Sequence, residues 1–148
     1  MNEVRDLLDR EALTALVARY AHAVDSRDVP AVVACFTDDT HVEFDGGTEV
    51  VDGRDALFRF FEDALVQPRM GTTGVSTHLM SNILVTTMGD AAHIETQAVA
   101  FLASDERATV VVRGLRYSDD CVRGDDGWLI RHRIHRSLWQ AEAPGGPL

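Results

Sequence analysis

The chain has 148 residues, of which 45% are hydrophobic and 26% charged, and 14 basic against 24 acidic side chains give a formal net charge of −10. This length and balance are typical of one folded domain, and an acidic surface disfavours nucleic acids and anionic membranes as partners. All 14 basic side chains are arginines, so chemistry through a lysine Schiff base is excluded.

The N-terminal region predicts two helices. Apolar residues recur at helical spacing from Leu13 to Val24, as they do on the buried face of an amphipathic helix. Asp28 is a suitable N-cap for a second, short helix that runs to about Phe36. The TDDT segment at 37–40 is expected to break that helix.

A hairpin and a third helix are predicted next. Two short strands, 41–44 and 48–51, are joined by a turn at 45–47. Asp52 is expected to cap the third helix and Pro68 to close it. The apolar positions of this helix share one face: Leu57, Phe60, Phe61, Ala64 and Leu65.

The second half of the chain is rich in β-forming residues. Short turn signals separate four predicted strands, at about 76–88, 91–103, 108–122 and 127–139. Long strands joined by short turns form an antiparallel meander. The sequence therefore predicts an α+β domain, in which a strongly curved antiparallel sheet carries about three helices on its concave face and leaves a cone open at one end.

One domain over 1–139 accounts for all these elements, and residues 140–148 are expected to form a flexible tail. The start of the chain has no apolar run typical of a signal peptide, and the longest apolar run, 29–36, is too short to span a membrane. Cys35 and Cys121 have no metal-binding spacing. We therefore expect a cytoplasmic protein with free, buried thiols.

The motifs of common cofactors are missing from the sequence. It contains no G-x-G-x-x-G, no P-loop, no G-x-S-x-G and no H-E-x-x-H, so we expect an enzyme without a cofactor. A metal site is not predicted either. His132 and His135 are three apart on a strand and face opposite ways, whereas His41 and Glu43 share a face but are only two ligands.

Three residues are candidates for acid–base chemistry. His78 lies within the first long predicted strand, and an imidazole in a pocket suits proton transfer near neutral pH. Asp25 ends the first helix, where the macrodipole disfavours a carboxylate, so it could instead orient His78. Tyr20 could donate to a developing oxyanion. The alternatives remain open: His78 as a structural histidine, Asp25 as a cap or turn residue, and Tyr20 as a core aromatic.

Four segments in this order resemble the SnoaL-like group of the nuclear-transport-factor-2-like superfamily: YAHAVDSRDVPAVVACFTDD, VDGRDALFRFF, THLMSNILV and GLRYSDDCVRGDDGWLIRHRI. The resemblance implies a cone-shaped α+β barrel and a homodimer formed through the outer face of the sheet. Scytalone dehydratase, bile-acid dehydratase and a dehydrochlorinase of this superfamily use an Asp–His pair, whose places Asp25 and His78 match. Tyr20 matches the tyrosine of the bile-acid dehydratase.

Those enzymes also use a polar residue on a later strand, for which the resemblance leaves Arg116, Arg123 and His132 as candidates. The cluster RHRIHR, 131–136, splits over two faces of the last strand and is expected to be solvated or to face a dimer partner. An apolar substrate pocket is expected from the available side chains: Phe36, Phe44, Phe61, Met80 and Trp139.

The leading hypothesis is a lyase or isomerase that acts on a hydrophobic, ring-containing or polyketide-like small molecule. His78 would abstract a proton, Asp25 would support the imidazolium and Tyr20 would steady the oxyanion. Dehydration, isomerisation and cyclisation all share this first step. One alternative is a non-catalytic cone that binds a small molecule or a protein. A subunit of a ring-hydroxylating oxygenase is a third hypothesis.

Overall fold

The computed structural model describes residues 3–66, 74–104 and 108–146. The helical elements in these ranges are α1 (Glu3–Asp25), α2 (Val29–Val33), α3 (Arg54–Phe61) and a π-helical turn at Glu62–Val66. The strands are β1 (Phe36–Phe44), β2 (Glu49–Asp52), β3 (Val75–Met88), β4 (Ala91–Ala103), β5 (Thr109–Gly124) and β6 (Gly127–Pro144). None of the described helices has both the length and the apolar character that crossing a membrane requires.

The strands form one mixed sheet in the order β2-β1-β6-β5-β4-β3. Strands β3 to β6 make the predicted antiparallel meander, and β1 and β2 make the predicted hairpin. Strand β1 joins the meander by pairing in parallel with β6. The α+β class is confirmed, but the sheet is open: β2 and β3 are its two edges, so it does not close into a barrel.

The core lies between the helices and one face of the sheet. The predicted stripe of α1 is confirmed, because its residues from Leu13 to Val24 are buried, and α1 packs against β3 and β6. Alternate residues of the central strands complete this core, among them Ile94, Leu115 and Ile130. Both cysteines are free and buried.

Helix α2 is shorter than the sequence suggests. Asp28 is its N-cap, as predicted, and accepts a hydrogen bond from the Ala31 backbone N–H at 3.0 Å. The helix ends at Val33, and Phe36 is the first residue of β1, so the prediction for 34–40 was wrong. The reason is tertiary: β1 pairs with β6, starting at Phe36 opposite Ile130.

Helix α3 begins one residue later than predicted and without a side-chain cap. Gly53 occupies the N-cap position with φ 85°, a conformation that favours glycine. Asp52 is the last residue of β2, where its carboxylate accepts a hydrogen bond from His41 Nδ1 at 2.5 Å. The predicted stop at Pro68 lies outside the described residues.

Strand β6 continues five residues beyond the predicted boundary at 139. It pairs with β5 as far as Pro144, opposite Thr109. Residues 140–144 therefore belong to the sheet instead of to a separate tail.

Candidate active site

The carboxylate of Asp25 accepts three hydrogen bonds from β3. His78 Nδ1 lies 2.6 Å from Asp25 Oδ1, and the Ser76 hydroxyl donates to the same oxygen at 2.8 Å. The His78 backbone N–H donates to Asp25 Oδ2, also at 2.8 Å. These donors supply the stabilisation that a carboxylate at the C-terminus of a helix does not receive from the macrodipole.

The charge state of Asp25 sets the tautomer of His78. Burial by itself raises the pKa of the Asp25 carboxyl, but the hydrogen bonds from His78 and Ser76 outweigh it and lower the pKa below its ordinary value. An ionised carboxylate only accepts hydrogen bonds, so Nδ1 of His78 carries the proton and Nε2 carries the lone pair. Nε2 has no hydrogen-bond partner among the described residues.

The Asp25–His78 pair borders a cavity of about 430 Å³ between α1 and β3. Both side chains are largely buried, with exposed fractions of 23% for Asp25 and 12% for His78. The walls of the cavity are mostly apolar or small: Ala18, Ala21, Thr77, Leu79 and Met80, together with His22. A basic nitrogen at the edge of such a cavity can take a proton from a bound organic molecule.

A β-bulge in β3 decides which residues accompany His78. The pairing with β4 shifts between Ser81 and Leu84, and Asn82 has φ 49°. In a regular strand with a period of two, Asn82 would lie on the same face as His78, and Ile83 on the other face. With the extra residue at the bulge the alternation reverses, so Ile83 lies on the partly buried face with His78 and Asn82 is exposed.

Tyr20 lies deeper than the Asp25–His78 pair. Only 5% of it is exposed, and its ring makes edge contacts with Phe36, Phe61 and Tyr117 at centroid distances of 5.9–6.3 Å. Burial raises the pKa of its hydroxyl, against the opposing effect of the Arg133 guanidinium. Tyr20 is therefore a protonated member of an aromatic cluster in the core.

Sequence reasoning did not select two further side chains, Tyr117 and His135, which interact electrostatically with Asp25 and His78, respectively. Tyr117 of β5 packs edge-on against His135 of β6, with 5.1 Å between ring centroids. Burial lowers the pKa of His135 to about 4; Asp45 opposes this effect, and the positive charges of Arg133 and Arg113 reinforce it. His135 is thus neutral at neutral pH, and its buried Nδ1 has no hydrogen-bond partner among the described residues.

Arg133 departs from the expectation that the RHRIHR cluster is solvated or faces a dimer partner, whereas Arg131 and Arg136 are exposed. Only 1% of Arg133 is exposed, and its guanidinium donates to both oxygens of buried Asp119, at 2.6 and 2.7 Å. It also stacks over the rings of Tyr20 at 4.0 Å and Tyr117 at 4.7 Å. The sequence contained a signal for this inner face. Tyr117 and Asp119 are two residues apart in β5, and Arg133 and His135 are two apart in β6, so each pair shares one face of its strand.

The three polar candidates on the later strands lie elsewhere, and none contacts Asp25 or His78 among the described residues. Arg116 is exposed and lines a separate cavity with Glu95. Arg123 donates to Asp9 at 2.6 Å and stacks on Trp128 at 4.5 Å, which attaches α1 to β5 and β6.

His132 lies on the outer face of the sheet, 3.2 Å from Glu43 Oε1. Its neighbours there are His41 of β1, with 5.1 Å between ring centroids, and Asp120 of β5.

The predicted apolar pocket residues separate into three groups. Phe36 and Phe61 are buried in the core. Phe44 stacks on Phe60 and contacts the His135 ring at 5.4 Å, while Met80 lines the cavity beside His78. Trp139 is half exposed, with its ring close against Gly114 of β5.

Known proteins resemble this chain in sequence and in fold. A family model described as a SnoaL-like domain matches residues 5–134. An uncharacterised protein of Mycobacterium tuberculosis (strain ATCC 25618 / H37Rv) is 28% identical over 143 residues, which cover 95% of this chain and 92% of that protein.

Solved structures share the fold. A candidate scytalone dehydratase from Novosphingobium aromaticivorans has a TM-score of 0.81 and 20% identity, over 97% of this chain and 95% of that one. The hexachlorocyclohexane dehydrochlorinase LinA-type3 of Novosphingobium barchaimii has a TM-score of 0.82 and 14% identity, over 99% and 98% of the two chains. Identities this low show a common fold and leave the activity to the site itself.

Proposed function

The chain belongs to the SnoaL-like domain family, and on that premise we propose that it is a general acid–base enzyme in which His78 abstracts a proton from carbon. The observation that carries the proposal is the Asp25 carboxylate, which binds both the ring and the backbone of His78. This double attachment fixes the position and the tautomer of the imidazole, as catalysis by a general base requires.

The proposed first step uses only side chains of the protein. Nε2 of His78 takes a proton from a carbon next to a carbonyl or a leaving group, and the imidazolium that forms is stabilised by Asp25. Dehydration follows if the proton returns to a departing hydroxyl, and isomerisation follows if it returns to another carbon. Neutral His135 adds no second positive charge beside the imidazolium.

Developing negative charge on the substrate would need a hydrogen-bond donor. Burial raises the pKa of the hydroxyls of both Tyr20 and Tyr117, so both remain protonated donors at neutral pH. Tyr20 is the candidate from the sequence, and Tyr117 contacts both Tyr20 and His135. The mostly apolar walls of the cavity favour a hydrophobic, ring-containing substrate.

The fold of the neighbours supports the same reaction class. A candidate scytalone dehydratase and a dehydrochlorinase share this architecture. Dehydration and dehydrochlorination both remove a proton from carbon and expel a leaving group, which is the step assigned here to His78. The proposal therefore places this protein among lyases or isomerases of small hydrophobic molecules.

A probe reaction tests the base without knowledge of the substrate. In the Kemp elimination of 5-nitrobenzisoxazole, removal of a proton from carbon releases a coloured phenolate. We expect His78→Gln to lower the protein-dependent rate by about 100-fold or more, and Asp25→Asn by about 10-fold or more, because general-base catalysis contributes about 10²–10⁴-fold.

The matched control is His93→Gln, a half-exposed histidine on the outer face of the sheet, which should retain the wild-type rate. Tyr20→Phe and Tyr117→Phe identify which hydroxyl assists the step. A wild-type protein no faster than free imidazole at the same concentration, or a His78→Gln protein as fast as wild type, would contradict the proposal and favour a binding cone.

A further inference from the structure

The outer face of the sheet carries a group of ligand-type side chains that the proposed chemistry does not use. Among the residues that the structure describes, His41, Glu43 and His132 are the one group of three whose ligand atoms all lie within 4.8 Å of one another. His41 of β1 is paired in register with His132 of β6, and Glu43 lies two residues along β1 on the same face.

The distances resemble those between the ligands of one metal ion. His41 Nε2 lies 3.5 Å and His132 Nε2 lies 3.2 Å from Glu43 Oε1. Ligand atoms about 2.0–2.1 Å from a tetrahedral Zn²⁺ are separated by about 3.3 Å. Two imidazoles and one carboxylate form a donor set that suits zinc and other first-row divalent ions.

Both histidines also have a carboxylate behind the ring. Nδ1 of His41 lies 2.5 Å from Asp52 Oδ1, and Nδ1 of His132 lies 3.6 Å from Asp120 Oδ2. Metal-binding histidines characteristically direct their second nitrogen toward a carboxylate, which fixes the tautomer and raises the basicity of the ligand nitrogen. His41 Nδ1 is at hydrogen-bond distance from its carboxylate, and His132 Nδ1 is at ion-pair distance from Asp120.

In the corresponding neutral tautomers, three hydrogen-bond acceptors meet at the centre of the group. When Nδ1 of each neutral histidine carries the proton, each Nε2 presents a lone pair to Glu43 Oε1, which is itself an acceptor. A cation between three acceptors satisfies them, and a divalent metal ion, unlike a single proton, can bind all three at once. The group is accessible from solvent, since 41% of His41 and 35% of His132 are exposed.

We propose that His41, Glu43 and His132 bind a divalent transition-metal ion of the zinc class on the outer face of the sheet, with Asp52 and Asp120 orienting the two imidazoles. The ion joins β1 to β6, the one parallel pair in the described sheet. The site is separate from the Asp25–His78 pair, which lies on the helix-covered side. The inference is independent of the proposed function.

Calorimetric titration of the untagged, EDTA-treated full chain with ZnCl₂ at pH 7.5 tests the proposal. We expect one Zn²⁺ per chain, and at least about 100-fold weaker binding in His41→Gln and in His132→Gln. Asp52→Asn, which changes only the group behind the ring, should weaken binding by about 10-fold or more. Saturating Zn²⁺ should also raise the thermal midpoint of the wild type.

The matched control is His22→Gln. His22 is an exposed histidine in the last turn of α1, away from the outer face of the sheet; its variant should bind Zn²⁺ within about two-fold of wild type. A His78→Gln protein should do the same, since that residue lies in the other site.

Circular dichroism of each variant shows whether it is folded. The proposal is overturned if the wild type does not bind Zn²⁺, in which case protons and not a metal occupy the group. It is also overturned if folded His41→Gln and His132→Gln proteins bind as tightly as wild type, or if His22→Gln weakens binding as much as they do.

Discussion

At the scale of single residues, the environment of each histidine differs more than the sequence indicates. His78 is held by a carboxylate, whereas His135 is buried beside aromatic rings, which lowers its pKa to about 4. His41 has a raised pKa, chiefly because its ring donates to Asp52. Histidine thus occurs in three different environments within one sheet.

We expect the largely buried His135 to make the stability of the protein depend on pH in the acid range. An unfolded histidine binds its proton near pH 6.5 and the folded one only near pH 4, so lowering the pH across this interval favours the unfolded state. The difference between the two pKa values corresponds to about 3 kcal/mol, lost progressively as the pH falls from 6.5 to 4. His135→Phe should remove this loss, as measured by urea unfolding at several pH values.

The control for that series is Ile134→Val, the neighbouring residue of β6, which has no titratable group. Its free energy of unfolding should fall with decreasing pH in parallel with that of the wild type. A His135→Phe protein that loses as much stability as the wild type between pH 6.5 and 4 would show that His135 is protonated freely in the folded state.

At the scale of elements, irregularities in strands decide which side chains reach the site. The bulge at Asn82 places Ile83 on the same side of the sheet as His78. The register between β5 and β6 also shifts next to Cys121, which likewise reverses the alternation of side chains along β6. Because of it, His132 lies on the outer face and Arg133 in the core. One extra residue in a strand moves every following side chain of that strand to the opposite face of the sheet.

The bulge in β3 can be tested through its backbone. Asn82 adopts φ 49°, in the left-handed region that β-branched residues strongly disfavour. We expect Asn82→Val to lower the free energy of unfolding by about 1–2 kcal/mol more than Asn82→Gly does, since glycine accepts this conformation without strain.

Thr86→Val, at an exposed position in the regular part of β3, is the matched control and should change stability by less than about 0.5 kcal/mol. Urea denaturation of the four proteins gives the comparison. Equal stabilities of Asn82→Val and Asn82→Gly would mean that the bulge does not constrain residue 82.

At the scale of the whole molecule, one buried ion pair connects most of the layers. The guanidinium of Arg133 in β6 binds Asp119 of β5 and lies over the rings of Tyr20 in α1 and Phe36 in β1. Burial opposes its charge, but Asp119 outweighs that effect and raises the pKa of Arg133.

The homodimer implied by the resemblance remains a prediction at this scale.

Removing one partner of this pair should be far more damaging than removing both. Arg133→Met leaves Asp119 as an uncompensated buried charge, and we expect a loss of about 3–5 kcal/mol in the free energy of unfolding. The double variant Arg133→Met, Asp119→Leu should recover most of it. Urea unfolding of the wild type, the single variant and the double variant provides the measurement; a double variant no more stable than the single one would contradict this reasoning.

The sequence by itself determined those features that depend on local patterns. Helical periodicity indicated the buried face of α1, the cap at Asp28 began α2, and turn signals separated the four strands of the meander. The placement of Asp25 at the end of α1 and of His78 within β3 follows from the same patterns. Local hydrogen bonding and the burial of apolar residues act over a few positions, so they can be read from the chain.

Only the tertiary structure decided which elements are neighbours and which face each residue presents. The parallel pairing of β1 with β6 brings His41 to His132 across a separation of about ninety residues. Two bulges reverse the alternation and bring Ile83 and Arg133 to the inner face, against the simple period of two. Strand pairing and bulges are selected by the packing of the whole core, and no short segment contains that information.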